Sequence, residues 1–309
     1  MRLIREEHFT SAVISLISIE SSCRYVMLPL YNERLSDLAA QAYQLSDRLC
    51  GACRNLHALW PYMRLLRSST GVEHQGSNLE IALRALIAGG LRKILIAGAA
   101  DTGLLALVLR AAANNNVHIC VLDICETPLE LCRRVAREWS LPIDTLKVDL
   151  RRLNVEQQFE LVLIHGTLHF IAAADRHDVL NRIRRALRPE GLLVLLFNTS
   201  KPSSTAEIGD QFHLDYADSM ISELKRLHIA LPDDEQSFCA RLVAHSQQRQ
   251  LREGAFTDPQ DVKHLIGAAG FALLSCGQIN VEVAGKANDF VSRFSKRRFL
   301  AVAKPGMPG

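Results

Sequence analysis

Lys93-Ile-Leu-Ile-Ala-Gly-Ala-Ala-Asp-Thr-Gly103 is the stretch whose reading decides the fold of this chain. Residues 94–97 are an apolar run of strand length. Gly98 and Gly103 bracket a turn of small residues, and residues 104–113 continue with strong helix formers. A buried strand, a glycine turn and a helix in that order are the front of a nucleotide-binding α/β unit. The glycines reach positive φ and let a ligand approach the backbone. The helix start offers free N–H groups and a weak positive pole. The spacing is Gly-x-x-x-x-Gly, not Gly-x-Gly-x-x-Gly, and no Lys-Ser/Thr follows Gly103. That excludes the phosphate loop of ATPases.

Working outward, His118-Ile-Cys-Val-Leu-Asp123 is a second apolar strand that ends in a carboxylate. Such a carboxylate can accept hydrogen bonds from both hydroxyls of a ribose. Its plainer role is to cap the helix that begins near Pro128. A third strand is predicted over residues 143–148, ending at Asp149, and a fourth over 159–164. Pro189-Glu-Gly191 reads as a turn before a fifth strand over 191–197. Helices are expected between them, at 127–139 and 176–187. Strands that are apolar throughout and alternate with helices argue for a mostly parallel sheet covered on both faces. A helix from 257, stopped at Gly270, and strands at 271–276 and 299–303 complete the sheet, with a polar segment between those strands.

Residues 1–76 are helical by pattern and read as a cap, with Pro61 expected to interrupt the helix near Trp60 and with residues 68–77 a polar loop. Residues 77–304 form the α/β domain. Within it, residues 199–255 break the alternation with a loop at 201–205 and amphipathic helices at 216–227 and 235–249, a helical lid insertion.

The composition narrows the partners. The 36 basic and 33 acidic residues are well mixed, and the net charge of +3 is too mild to imply nucleic acid. Aromatics are only 6%, and no aromatic-rich basic stripe is present. No apolar run reaches membrane-spanning length. Residues 11–19 have the apolar character of a signal peptide, but Glu6 and Glu7 interrupt the basic start and no small-residue cleavage site follows. The eight cysteines read as reduced thiols of a cytoplasmic protein. Cys50-x-x-Cys53 is the only close pair, without a second Cys or His pair at zinc spacing, so no metal is expected.

Taken in order, the glycine turn, Asp123, Asp149, the 159–170 segment and Leu187-Arg-Pro-Glu-Gly191 resemble the class I S-adenosylmethionine-dependent methyltransferases. Phe256-Thr-Asp-Pro259, Ala269-Gly-Phe271 and Phe299-Leu-Ala-Val-Ala-Lys304 resemble that family's closing helix and strands. The resemblance covers about residues 78–198 and 255–304. It implies a Rossmann-like sheet of seven strands, the last antiparallel, and S-adenosyl-L-methionine as cofactor. It further implies that Gly98, Ala99, Asp101 and Gly103 lie against the methionine part. Asp123 then binds the ribose, with Ile124 beside the adenine. Asp149 reaches the adenine amino group, and Leu150 offers its backbone N–H to the ring. His165 and Gly166 floor the site near the methyl. One departure stands out: the family usually has an acidic residue two before the first glycine, where this chain has Ile96. Asp101 either takes over the contact to the cofactor's amino group or caps the helix from Thr102.

The expected activity is methyl transfer to a small molecule, because a cap that excludes water suits a small acceptor and not a polymer. The Asn-Pro-Pro-Tyr type segment of enzymes that methylate nucleic-acid bases is absent; His165-Gly-Thr-Leu168 stands in its place. His165 is the candidate catalytic base at the carboxyl end of the fourth strand. His169, and His213 and Tyr216 in the insertion, are weaker candidates for substrate contact, while His245 reads as surface. The apolar N-terminal helices make a homodimer possible. Two other readings compete: a non-catalytic S-adenosylmethionine-binding protein, and an NAD-dependent oxidoreductase, whose Tyr-x-x-x-Lys pair is not found.

Overall fold

The computed structural model of the protein describes residues 30–66, 76–112, 115–199, 209–250, 256–279 and 297–306. The expectations for residues 11–19, for most of the 68–77 loop, for the 201–205 loop and for the polar segment before the last strand fall outside these residues. Helices α1 (Leu30–Leu49), α2 (Arg54–Leu65) and α3 (Gly76–Ala88) lead into strand β1 (Lys93–Ala97). Then come α4 (Gly103–Ala112), β2 (His118–Asp123), α5 (Glu126–Glu138), β3 (Ile143–Lys147), β4 (Phe159–His165), α6 (Ala173–Ala186) and β5 (Leu187–Thr199). Helices α7 (Asp210–Arg226) and α8 (Glu235–Gln250) follow, and α9 (Pro259–Ala268), β6 (Phe271–Ile279) and β7 (Arg297–Pro305) close the chain.

The seven strands form one sheet in the order β3-β2-β1-β4-β5-β7-β6. The first five run parallel; β7 is antiparallel to both β5 and β6. This is the mostly parallel, Rossmann-like sheet that the sequence implies. Apolar runs in β1, β4 and β5 are buried because helices cover both faces. Ile94 and Ile96 face a core shared with α3 and α4, including Leu83, Leu105 and Val108. Leu95 faces the opposite core, with Val179, Ile183 and Ile266 from α6 and α9. The alternation is the period-2 pleat of a strand buried on two sides.

Two local expectations are corrected. Helix α2 runs through Pro61 without a break. A mid-helix proline removes one hydrogen bond and crowds the preceding turn; here its neighbours Leu59, Tyr62 and Met63 are all fully or almost fully buried and hold the helix in place. The 189–191 turn is instead the irregular first part of β5. Leu187 pairs with Phe159, the register shifts, and regular pairing resumes at Leu192 opposite Leu161. A bulge of this kind tolerates Pro189, which has no N–H to give.

The N-terminal helices and the insertion share one core. Tyr43, Leu59, Tyr62 and Met63 pack with Met220, Leu224, Phe238 and Leu242. The Tyr62 ring meets Phe238 edge-on at 5.4 Å. His245, expected at the surface, is fully buried. A second contact ties this helical layer to the sheet: Ala42 and Leu45 of α1 pack on Leu131 of α5.

Candidate active site at the carboxyl edge of the sheet

Strand register builds the site. Lys93 to Ala97 of β1 pair in step with His118 to Leu122 of β2, so the chain leaves both strands at Gly98 and Asp123 side by side. Gly98 has φ +91°, and its N–H donates to Leu122 O at 2.8 Å. Ala99 N–H donates to Asp123 Oδ2 at 2.9 Å, and Cys125 N–H donates to Oδ1 at 2.7 Å. Burial pushes the Asp123 carboxyl above the ordinary aspartate range, against the pull of these two donors. Each carboxylate oxygen keeps acceptor capacity beyond its backbone partner. Ile124, next in the chain, is 58% exposed, an apolar side chain presented at the sheet edge.

Gly98 is a glycine for two reasons. Its φ is in the left-handed region, and a Cβ there would sit 2.2 Å from Thr167 Oγ1. The Thr167 hydroxyl donates to Ala97 O at 3.0 Å, which ties the loop after β4 to the end of β1. Gly98→Ala is expected to lose about 1–2 kcal/mol from backbone strain and more from the clash. Urea unfolding measures the loss. Thr167→Ala in the same chain is expected to recover only part of the loss, since its Cβ would still lie 2.9 Å from the new methyl, and full recovery would show that the backbone angle costs nothing.

Asp101 points into the protein. Its Oδ1 accepts from Gly103 N at 2.8 Å, which caps α4, and its Oδ2 is paired with Arg64. Both side chains of the pair are almost wholly buried, at 1% and 6% exposure. Arg64 comes from the last turn of α2, and its guanidinium lies against Gly103, where a Cβ would come within 2.7 Å of Cζ. The helical layer therefore completes a buried ion pair at the N-terminus of α4. His57, about two turns earlier on the same face of α2, hydrogen-bonds Ala100 O through Nδ1 at 3.0 Å.

Asp149 caps the short 3-10 turn Leu150–Arg152, accepting from Arg151 N at 2.9 Å. The Arg151 guanidinium, with Nη2 at 2.6 Å, holds its carboxyl below the usual range. Leu150 is buried. His165 ends β4 and is half-buried. Gly166 follows at φ +69° and starts the 3-10 turn Thr167–Phe170. His169 Nε2 accepts from Asn198 N at 3.0 Å, and its ring packs edge-on to Phe256 at 5.3 Å. That makes His169 a brace between the β4 loop and the end of β5.

His213 and Tyr216, expected over the substrate, are buried within the helical layer. His213 Nδ1 lies 2.9 Å from Ser246 Oγ on α8, and Tyr216 packs in the core with Ala217 and Met220. Residues 213, 217, 220, 221 and 224 recur at helical spacing, so they form the one buried stripe of α7. Four residues at or beside the site were not singled out from sequence: Arg64, His57, Thr167 and Cys125. The Cys53-x-x-x-His57 spacing is a readable signal, since i and i+4 share a helix face; nothing local marks the others.

Residues 94–191 match the family profile described as a methyltransferase domain. Together with the sheet order and the glycine turn beside Asp123, that match makes residues 94–191 a methyltransferase domain of the class I S-adenosylmethionine-dependent type. Among curated relatives, the methyltransferase domain is similar to the carboxy-S-adenosyl-L-methionine synthase of Shewanella sediminis, with 28% identity over 146 residues, covering 44% of this chain and 60% of that one. The Escherichia coli protein of the same name is 27% identical over 146 residues, covering 44% of this chain and 59% of that one. The chain thus spans about 60% of the length of the first of these relatives. Of solved structures, the Haemonchus contortus phosphoethanolamine N-methyltransferase 2, in complex with phosphomonomethylethanolamine and S-adenosylhomocysteine, superposes with a TM-score of 0.54 at 12% identity. It covers 87% of this chain and 60% of that one. The [4+2]-cyclase SpnF gives 0.52 at 14% identity, covering 87% and 97%. At such identities the two structures share the methyltransferase fold with this chain. No helix among the described residues is long and apolar enough to cross a membrane.

Proposed function

We propose that the protein transfers the methyl group of S-adenosyl-L-methionine to a small-molecule acceptor. The observation that carries this reading is the register that sets the positive-φ Gly98 beside the Asp123 carboxylate. The residues fit the cofactor. Gly98, Ala99 and Gly103 leave backbone for its methionine part, beside the N-terminus of α4, where the methionine carboxylate belongs. The remaining lone pairs of Asp123 suit ribose hydroxyls, and the exposed Ile124 suits the face of an adenine. Asp149 and Leu150 flank that ring's edge. The Asp101 carboxylate serves the helix and Arg64, so recognition of the cofactor's amino group falls to carbonyls of the turn.

When bound, the cofactor supplies a sulfonium methyl that is already activated. The chain's work is then alignment and proton handling. Holding acceptor and methyl in line is worth roughly 7–11 kcal/mol. His165, at the end of β4 beside Gly166, takes the proton of a hydroxyl or ammonium acceptor. The layer built from α1, α2, α7 and α8 acts as a cap over this edge, which favours a small acceptor over a polymer and gives no role to nucleic acid or membrane.

Two experiments test the proposal. Asp123→Ala is expected to remove charge-assisted hydrogen bonds worth about 1.5–3 kcal/mol and weaken S-adenosylhomocysteine binding at least ten-fold; unchanged affinity would reject the ribose assignment. Incubation with methyl-deuterated cofactor and pooled small-molecule fractions is expected to release S-adenosylhomocysteine and a product heavier by one labelled methyl. Binding without turnover in any fraction would mark a non-catalytic binder. A carboxylated cofactor, with no S-adenosylhomocysteine released, would group the chain by activity with the synthases it resembles.

A further inference from the structure

We infer that Cys50, Cys53, His57 and Cys125 form a closed, tetrahedral metal site that holds zinc. This inference is independent of methyl transfer. The four side chains come from three places: Cys50 just after α1, Cys53 and His57 at the cap and first turn of α2, and Cys125 at the cap of α5. Their ligand atoms all lie within 4.8 Å of one another, and His57 and Cys125 are buried. Zinc bonds of about 2.3 Å to sulfur and 2.0–2.1 Å to nitrogen place neighbouring ligands roughly 3.5–3.8 Å apart in a tetrahedron. Only small adjustments separate the cluster from that geometry. Cys50 Sγ and Cys125 Sγ, at 2.8 Å, must open by about 1 Å.

The orientation of His57 argues that the cluster is built for a cation. Its Nδ1 sits 3.0 Å from Ala100 O. A carbonyl only accepts, so Nδ1 carries the hydrogen, and in the neutral ring Nε2 keeps a lone pair. A backbone carbonyl on one ring nitrogen and a ligand on the other is the usual setting of a metal-bound imidazole. Cys53 caps the start of α2 and His57, whose N–H donates to Cys53 O at 3.2 Å, lies one turn on, on the same side. The Thr127 hydroxyl lies 3.0 Å from Cys50 Sγ, placed to donate to a thiolate. Three soft thiolates and an imidazole select zinc among common divalent ions, and four protein ligands leave no position for water or substrate. The site is therefore structural. It fastens the helical layer at two points of the sheet edge: Ala100 in the glycine turn, through His57, and Cys125, two residues beyond Asp123.

The full-length protein, expressed in zinc-supplemented medium and purified with a phosphine reductant, is expected to carry one zinc per chain by plasma mass spectrometry. Cobalt in place of zinc is expected to give strong visible bands of a tetrahedral ion and a thiolate charge-transfer band in the near ultraviolet. Cys53→Ser and Cys125→Ser are each expected to lower the bound metal at least ten-fold, while Cys239→Ser, outside the cluster, retains it. Because the cluster variants can fail to fold, thiol accessibility in the unaltered protein provides a second readout: a strong chelator should expose three additional cysteines to a thiol reagent. Wild-type protein that holds less than a tenth of an equivalent of zinc and takes up no cobalt would overturn the inference. So would a Cys50–Cys125 disulfide found by peptide mapping of alkylated protein prepared without reductant, or iron with acid-labile sulfide in place of zinc.

Discussion

Arg64→Met is expected to destabilise the protein by about 3–5 kcal/mol, the typical cost of leaving one charge of a buried pair without its partner. The guanidinium and the Asp101 carboxylate are both nearly sealed from water, and Asp101 also caps α4. Removing Arg64 leaves that carboxylate charged beside a helix start that only partly compensates it. Urea unfolding measures the loss. Asp101→Asn in the same chain is expected to return most of it, because an amide tolerates burial far better than an unpaired carboxylate. A cost below about 1 kcal/mol for Arg64→Met would mean that the pair does not fasten the helical layer to the glycine turn.

His165→Asn is expected to lower kcat by about 10²- to 10⁴-fold with the acceptor found by isotope labelling, the usual range for a positioned base. Affinity for S-adenosylhomocysteine is expected to stay within about two-fold. His165 sits at the end of β4, after the strand that pairs with β1, so its loss leaves the Gly98–Asp123 register intact. A drop in affinity with unchanged kcat would recast His165 as a cofactor contact. Unchanged values of both would leave the chain to act by alignment alone.

The sheet was legible in sequence because its strands are buried on both sides and read as unbroken apolar runs. Residues 94–97 and 118–123 needed only that run and a glycine turn to be read as strands of a mostly parallel sheet; that they are neighbours is seen in the structure. Local patterns failed where tertiary contact decided the outcome. Pro61 is carried inside α2 because Tyr62 and Met63 are locked in a core completed by α8, more than 170 residues away in the chain. His213 and Tyr216 looked functional by residue type, yet the spacing of α7 turns both inward. Arg64 gave no sequence signal, since its partner is 37 positions further on. The four-residue metal cluster was half visible: the Cys-x-x-Cys and the histidine four residues later are in the sequence, while Cys125 arrives only through the packing of α5 on α1.

The most direct test of the account is calorimetry of the intact protein with S-adenosylhomocysteine, S-adenosylmethionine and NAD. Micromolar binding of the first two, roughly −8 kcal/mol, with no heat from NAD, is the predicted result. Binding of NAD alone would contradict the account and assign the Gly98–Asp123 edge to a nicotinamide cofactor.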